Sequence, residues 1–86
     1  MFYVYLLKSE QGEHFYVGYS ADLRRRISEH HQGKVYYTKR YRPWVLVYYE
    51  AYLDEVQAKT RERQLKQYGS VYTHLLKRLG YKKIGV

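Results

Sequence analysis

The chain contains no cysteine, which excludes a disulfide staple, a thiolate zinc site and a cysteine nucleophile. No apolar run approaches the roughly 18 residues of a membrane span, so a membrane partner is not expected. Residues 1–5 carry no basic stretch ahead of their short apolar run and do not read as a signal peptide. These absences lead to the expectation of a soluble, cytoplasmic protein. Proline is nearly missing, with Pro43 the only one. There is no linker, repeat or low-complexity segment, and 86 residues leave room for one domain, residues 1–86. A domain of that size buries only about 60% of its unfolded surface. Acidic residues are also scarce, 8 Asp and Glu against 16 Lys and Arg.

What is abundant is positive charge and tyrosine. The net charge is +8 and there are 13 Tyr. Such a charge favours polyanions, because neutralised phosphates release condensed counterions. Tyrosine rings can stack on bases, and their hydroxyls can bond phosphate oxygens. The same rings also suit half-buried sheet surface, so composition alone divides evenly between nucleic-acid binding and a plain basic domain.

Residues 2–7 are β-branched, aromatic and aliphatic, and read as a strand buried on both faces. A polar turn over 8–13 leads to a second strand over 14–19, giving an antiparallel hairpin. Ser20 is placed to cap a helix over 21–31 whose Leu23, Ile27 and His30 share one face, with Gly33 as its stop. Residues 34–42 form a loop dense in Lys, Arg and Tyr. A third strand over 44–51 follows Pro43. Asp54 is placed to cap a helix over 55–68, and Ser70 a last helix whose apolar face is Val71, Tyr72, Leu75, Leu76 and Leu79. The order ββαβαα predicts an α+β fold, a three-stranded antiparallel sheet flanked by helices.

Several chemistry-bearing residues fall together on this scheme. Tyr3 and Tyr5 share one strand face, and Tyr16 and Gly18 share another. A turn at Glu10 and Gln11 would set Tyr5 opposite Tyr16 and Tyr3 opposite Gly18. A glycine inside a strand marks a bulge, a packing gap or the close approach of a ligand or another backbone. Arg26 and His30, spaced i, i+4, are neighbours on the first helix. A lone inward histidine such as His30 is more often a satisfied core residue than a catalytic one, whereas an inward arginine wants an anionic partner. Arg24 and Arg25 read as outward. Glu62 borders the side of the second helix that carries Ala58 and Leu65. Spacing alone favours Glu62 as an ion partner of Arg61, Arg63 or Lys66 over a metal ligand, and Glu50 is a rival carboxylate.

The pair Tyr3-Val4-Tyr5 and Tyr16-Val17-Gly18, with ten residues between Tyr5 and Tyr16, resembles the two halves of the GIY-YIG signature, with Tyr3 in place of the first glycine. The segment from Gly18 to Arg26, followed by His30, resembles that family's arginine-bearing helix. The run from Ala58 to Lys66 resembles its metal-ligand helix. Gly33-Lys34, Arg42-Pro43-Trp44 and Tyr48-Tyr49-Glu50-Ala51 resemble short stand-alone bacterial members, similar to the nuclease module of the bacterial excision-repair endonuclease. Many members carry a further asparagine near the C-terminal end of the domain, and this chain has none.

The resemblance implies a three-stranded antiparallel sheet with flanking helices and a metal-dependent endonuclease that hydrolyses phosphodiesters in DNA during repair or processing. It implies one divalent metal, Mg²⁺ before Mn²⁺, held by Glu62. It implies that Tyr5 and Tyr16 position or deprotonate the attacking water, that Arg26 holds the scissile phosphate and that His30 assists. Tyr3 and Gly18 complete the motif. The expected partner is nucleic acid, DNA before RNA, gripped by Lys34, Lys39, Arg40 and Arg42 and by the C-terminal Lys77, Arg78, Lys82 and Lys83. The alternative is a catalytically weak or inactive nucleic-acid-binding module of the same fold.

Overall fold

The structure, a computed structural model, describes residues 1–81, so Lys82 and Lys83 lie outside the described residues. Strands β1 (Phe2–Ser9), β2 (Phe15–Ser20) and β3 (Trp44–Tyr52) form an antiparallel sheet in the order β2-β1-β3. Helices α1 (Leu23–His31), α2 (Glu55–Gln67) and α3 (Gly69–Arg78) flank it. The predicted fold class and element order are those found. No helix among the described residues is long and apolar enough to cross a membrane.

The unbroken apolar run of β1 is explained by its central place, where both faces are covered. Val4, Tyr5, Leu6 and Leu7 are each 1% exposed. On one face Val4, Leu6 and Val17 pack against Ala58 and Leu65 of α2 and Leu75 and Leu76 of α3. On the other, Tyr5, Leu7 and Trp44 pack with Tyr16, Leu46 and the α1 residues Leu23 and Ile27. The sheet therefore separates two cores, and each side of β1 serves a different helix layer.

Three local features differ from the sequence-based expectation. The hairpin register is displaced by two residues, so that Tyr5 faces Gly18, Leu7 faces Tyr16 and Tyr3 faces Ser20. The turn centres on Gln11 and Gly12, with Gly12 at φ +108°, rather than on Glu10 and Gln11. An even displacement keeps every side chain on its predicted face. Secondly, Asp22 caps α1 by accepting from the Arg25 N–H at 3.1 Å. Ser20 instead accepts from the Asp22 N–H at 2.9 Å, which makes the turn before the helix. Thirdly, the pairing of β1 with β3 is interrupted between Leu6 and Leu7. This irregularity brings Leu46 and Trp44 onto the Tyr5 face, which strict alternation from Tyr49 would deny them. Asp54 caps α2 as expected, whereas α3 has no side-chain cap and begins at Gly69, ahead of Ser70.

Candidate active site

The register explains Gly18. It sits directly across from Tyr5, and a Cβ there would collide with the Tyr5 ring and hydroxyl. The bare backbone is occupied by the phenol of its own sheet neighbour. Tyr5 lies flat over β2, and its hydroxyl points toward α1.

There it meets His30. The Tyr5 hydroxyl is 2.7 Å from Nε2 of His30, and Nδ1 of the same ring is 2.7 Å from Oγ1 of Thr38. Tyr5, His30 and Thr38 are almost wholly buried. Thr38 is itself fixed, since its carbonyl accepts from the Trp44 indole at 2.6 Å and its hydroxyl lies 3.4 Å from the Val35 carbonyl. A consistent set of donors runs from Tyr5 O–H to His30 Nε2, from His30 Nδ1–H to Thr38 Oγ1 and from Thr38 O–H to Val35 O. The sequence offered no sign of Thr38. It lies in a stretch of Tyr, Lys and Arg that reads as surface, and only the tertiary fold turns Val35 and Thr38 inward.

Burial sets the charge state of this spine. It lowers His30 to about 4, with the nearby Arg26 cation acting in the same direction, so the imidazole is neutral at pH 7. It raises Tyr5 well above the ordinary phenol value. Arg26 opposes that rise without overcoming it, and the Tyr16 phenol and Glu62 reinforce it. Tyr5 is thus a neutral hydroxyl at physiological pH.

Arg26 and Tyr16 form the outer part of the cluster. Arg26 has the anionic partner its position called for, Glu29 at 2.9 Å, and both side chains remain about one-third exposed. Its guanidinium acts on both Tyr5 and Tyr16. The half-buried Tyr16 ring lies 6.4 Å from that of Tyr5 and 5.2 Å from that of His30, centroid to centroid. Tyr3 is set apart, edge-on to Tyr49 at 6.0 Å.

Glu62 approaches from elsewhere. α2 packs on the Val4–Leu6 face, opposite Tyr5, but it runs beside the edge strand β2. Lys66, one turn after Glu62, holds the Glu62 carboxylate at 3.0 Å and places Nζ 5.5 Å from the Tyr16 ring centroid. Glu62 thus lies at the β2 edge, joined to Tyr16 through the lysine that it binds. Of its three possible cationic partners, Lys66 is the one engaged, because Arg61 turns inward to Glu50. The rival Glu50 faces the opposite core, taking three contacts from Arg61 at 3.0–3.2 Å and hydrogen bonds from Tyr48 at 2.6 Å and Tyr52 at 2.5 Å.

No group of three His, Asp or Glu side chains able to hold a metal occurs among the described residues. A single carboxylate, one-quarter exposed and held by one flexible lysine, suits a hard cation that keeps most of its waters, as Mg²⁺ does.

The basic loop is divided. Lys39 and Arg40 are exposed and lie over the rings of Tyr36 and Tyr41 at 4.7 and 5.4 Å. Arg42 is tied down, with Nε 3.2 Å from the Lys39 carbonyl and Nη1 3.4 Å from that of His31, close against Gly33 at φ +76°. Lys34 is exposed beside Glu29.

Comparison with known proteins decides the family. The profile of the GIY-YIG catalytic domain matches residues 1–72. The chain belongs to the GIY-YIG family. It is 40% identical over 67 residues to a UPF0213 protein of Staphylococcus epidermidis, covering 77% of this chain and 80% of that one. It is 39% identical over the same length to a UPF0213 protein of Staphylococcus aureus. Among solved structures it is similar to a UPF0213 protein from Bacillus halodurans determined by solution NMR, with a TM-score of 0.56 and 33% identity over 92% of this chain and 85% of that one. A GIY-YIG catalytic domain implies nuclease-type chemistry on nucleic acid. In this member the two motif tyrosines stand on one sheet face with Arg26 and His30.

Proposed function

We propose that this GIY-YIG domain is a divalent-metal-dependent endonuclease that hydrolyses phosphodiester bonds in DNA during repair or processing. The observation that carries the reading is the neutral Tyr5–His30 hydrogen bond, 2.7 Å long, set behind Arg26 and Tyr16. The imidazole satisfies the buried phenol, but a purely structural pair needs no partly exposed guanidinium beside it.

In this reading Arg26 and Tyr16 meet the substrate. Arg26 offers paired N–H donors to a non-bridging phosphate oxygen, and it can exchange the Glu29 carboxylate for phosphate because that pair is partly solvated. Tyr16 orients the attacking water. The raised pKa of Tyr5 excludes a standing phenolate, so Tyr5 acts as a relay. As its oxygen takes the water proton, its own proton moves to Nε2 of His30, and Thr38 keeps the imidazole in the accepting tautomer. Glu62 would hold the metal, which when bound supplies stabilisation of charge at the leaving oxygen. Lys39, Arg40 and Lys34 provide sequence-independent phosphate contacts.

The test is cleavage of labelled duplex, branched, nicked and single-stranded DNA, with RNA counterparts, in Mg²⁺, in Mn²⁺ and in chelator. Metal-dependent cutting of DNA that is lost in Arg26→Ala is the expected outcome. Tight binding with no cutting of any substrate would instead identify a binding module of the same fold.

A further inference from the structure

Beside Tyr16 lies a cleft of about 520 Å³ whose wall includes Tyr16, His14, Tyr37, Tyr41, Trp44 and Lys66. Its walls are almost all rings. His14 and Tyr41 are already stacked, with centroids 3.7 Å apart and planes 14° from parallel. Tyr37 is 75% exposed and touches only the edge of its neighbour Tyr36, at a centroid distance of 5.5 Å. Leaving so large a ring in water contributes nothing to the fold. The one cation in the wall, Lys66, is also the partner of Glu62, and Lys39 and Arg40 stand just outside on the same loop.

We propose that this cleft is a stacking subsite for one unpaired nucleobase adjacent to the scissile phosphate, so that the substrate is DNA with a single-stranded or splayed nucleotide at the cut. The inference rests on the nuclease reading for the position of that phosphate. The shared wall, Tyr16, sets the geometry, because a strand whose phosphate lies at Arg26 and Tyr16 must put a neighbouring base near Tyr37 and Tyr41. A base within a duplex is sandwiched by its neighbours and cannot present its face to the cleft, whereas an unstacked base can, and aromatic rings accept any of the four. The arrangement therefore selects for strand state and not for sequence. It also assigns a role to the exposed tyrosines of residues 36–41, which phosphate contacts alone do not explain.

The experiment measures binding in chelator, where no cleavage takes place, so that failure of the subsite and failure of the nuclease reading are separate results. Probes are a single-stranded oligonucleotide, the same strand in duplex, and the single strand carrying 2-aminopurine. Wild type should bind the single strand more tightly than the duplex and quench 2-aminopurine. Tyr37→Ala should weaken single-strand binding about tenfold, the scale of one lost base stack, and abolish the quenching. Tyr37→Phe, which keeps the ring, should restore both. Because stacking releases no counterions, Tyr37→Ala should leave the salt dependence of binding unchanged. The melting temperature should also be unchanged for so exposed a residue. Single-strand affinity and quenching like wild type in Tyr37→Ala would overturn the subsite. So would a loss accompanied by a flatter salt slope, which would make Tyr37 part of a phosphate-binding surface.

Discussion

β1 separates two polar clusters built from the same residue types. On the α2 and α3 side, Glu50 receives five hydrogen bonds from Arg61, Tyr48 and Tyr52, and Arg78 caps Tyr48 at 2.8 Å. On the α1 side, Tyr5, His30, Tyr16 and Arg26 meet, with the Glu62–Lys66 pair beside Tyr16 at the β2 edge. The first cluster is saturated. Its carboxylate accepts at both oxygens, its guanidinium is bound through two nitrogens, and hydrogen bonds to Glu50 hold the carboxyl below its usual range against the opposing effect of burial. The second is incomplete. Among the described residues Glu62 has one ion-pair partner and Arg26 binds Glu29 through one nitrogen. Side chains fill every valence of the first network, whereas Glu62 and Arg26 keep partial exposure, so water meets their remaining valences and can give way to a ligand without leaving a buried polar group unpaired.

The largest effect should separate the two glutamates. Glu62→Gln should lower single-turnover cleavage by about a thousandfold, the scale of several kcal/mol of lost charge stabilisation, with DNA binding and melting temperature kept. Glu50→Gln should do the reverse. It leaves Arg61 without its anion, and an expected cost of about 2–3 kcal/mol lies below that of a fully buried broken pair because both groups keep some exposure. That shift is on the order of 10 °C in melting temperature for a domain this small. Cleavage lost in Glu50→Gln and kept in Glu62→Gln would reverse the assignment of the two clusters.

A smaller effect, about a hundredfold, is expected from Tyr5→Phe, which removes the relay hydroxyl and leaves the ring. Gly18→Ala should match it by a different route. The added methyl displaces the Tyr5 ring, with an overpacking cost of about 1–3 kcal/mol, and Tyr5→Phe leaves the buried Nε2 of His30 without its donor at a similar cost of about 1–3 kcal/mol, so both melting temperatures should fall. In the saturated cluster, Tyr48→Phe should leave cleavage untouched. Equal rates for wild type and Tyr5→Phe would remove Tyr5 from the chemistry.

The basic loop gives the next contrast. Neutralising Lys39 and Arg40 together should lower the slope of log affinity against log salt by about 1.4–1.8, given roughly 0.7–0.9 per phosphate contact. Arg42→Gln should leave that slope nearly unchanged and cost about 1 kcal/mol of stability, because the exposed Arg42 guanidinium is engaged by the carbonyls of Lys39 and His31. A slope change confined to Arg42→Gln would mean that the tethered arginine is the phosphate contact.

Much of this was legible in the sequence because it depends on period and chemistry. Alternation placed Tyr5, Tyr16 and Gly18 on one face, helical spacing put His30 inward beside Arg26, and the Asp54 cap and the element order stood as predicted. What was illegible depends on long-range geometry. The two-residue register displacement, which pairs Tyr5 with Gly18, is invisible to a pattern that repeats every two residues. The irregularity opposite Leu6 and Leu7 is one residue in a uniformly apolar and aromatic strand. Thr38 has no periodic neighbour to reveal it, and Arg42 looks like Lys39 and Arg40 until its carbonyl partners are known. Glu62 could be placed on a helix face, but only the packing of α2 beside an edge strand brings its partner Lys66 to Tyr16.

The smallest expected effect is the most discriminating for mechanism. If a Tyr5 phenolate were the base, log rate would climb with unit slope across roughly pH 6 to 9, since the ionised fraction would still be rising toward a pKa of about 10 or more. The relay predicts a flat profile over that range. Its acceptor is His30, which burial holds at about 4, so the accepting form is already complete at pH 6 and activity falls only on acidification toward 4. Stability should follow the same group. In the unfolded chain His30 titrates near its ordinary 6.5, so between that value and about 4 the unfolded state binds the extra proton. Stability from this source is therefore full above 6.5 and declines as pH falls through the window, with the carboxylates Glu29, Glu50 and Glu55 adding their loss only below their ordinary 4.5. Imidazole chemical shifts followed by NMR should show His30 still neutral at pH 5.5, alongside a flat cleavage profile from pH 6 to 9. A unit-slope rise in rate with His30 neutral throughout would replace the relay by a phenolate, and a His30 that protonates near 6.5 would remove the proton acceptor on which the relay depends.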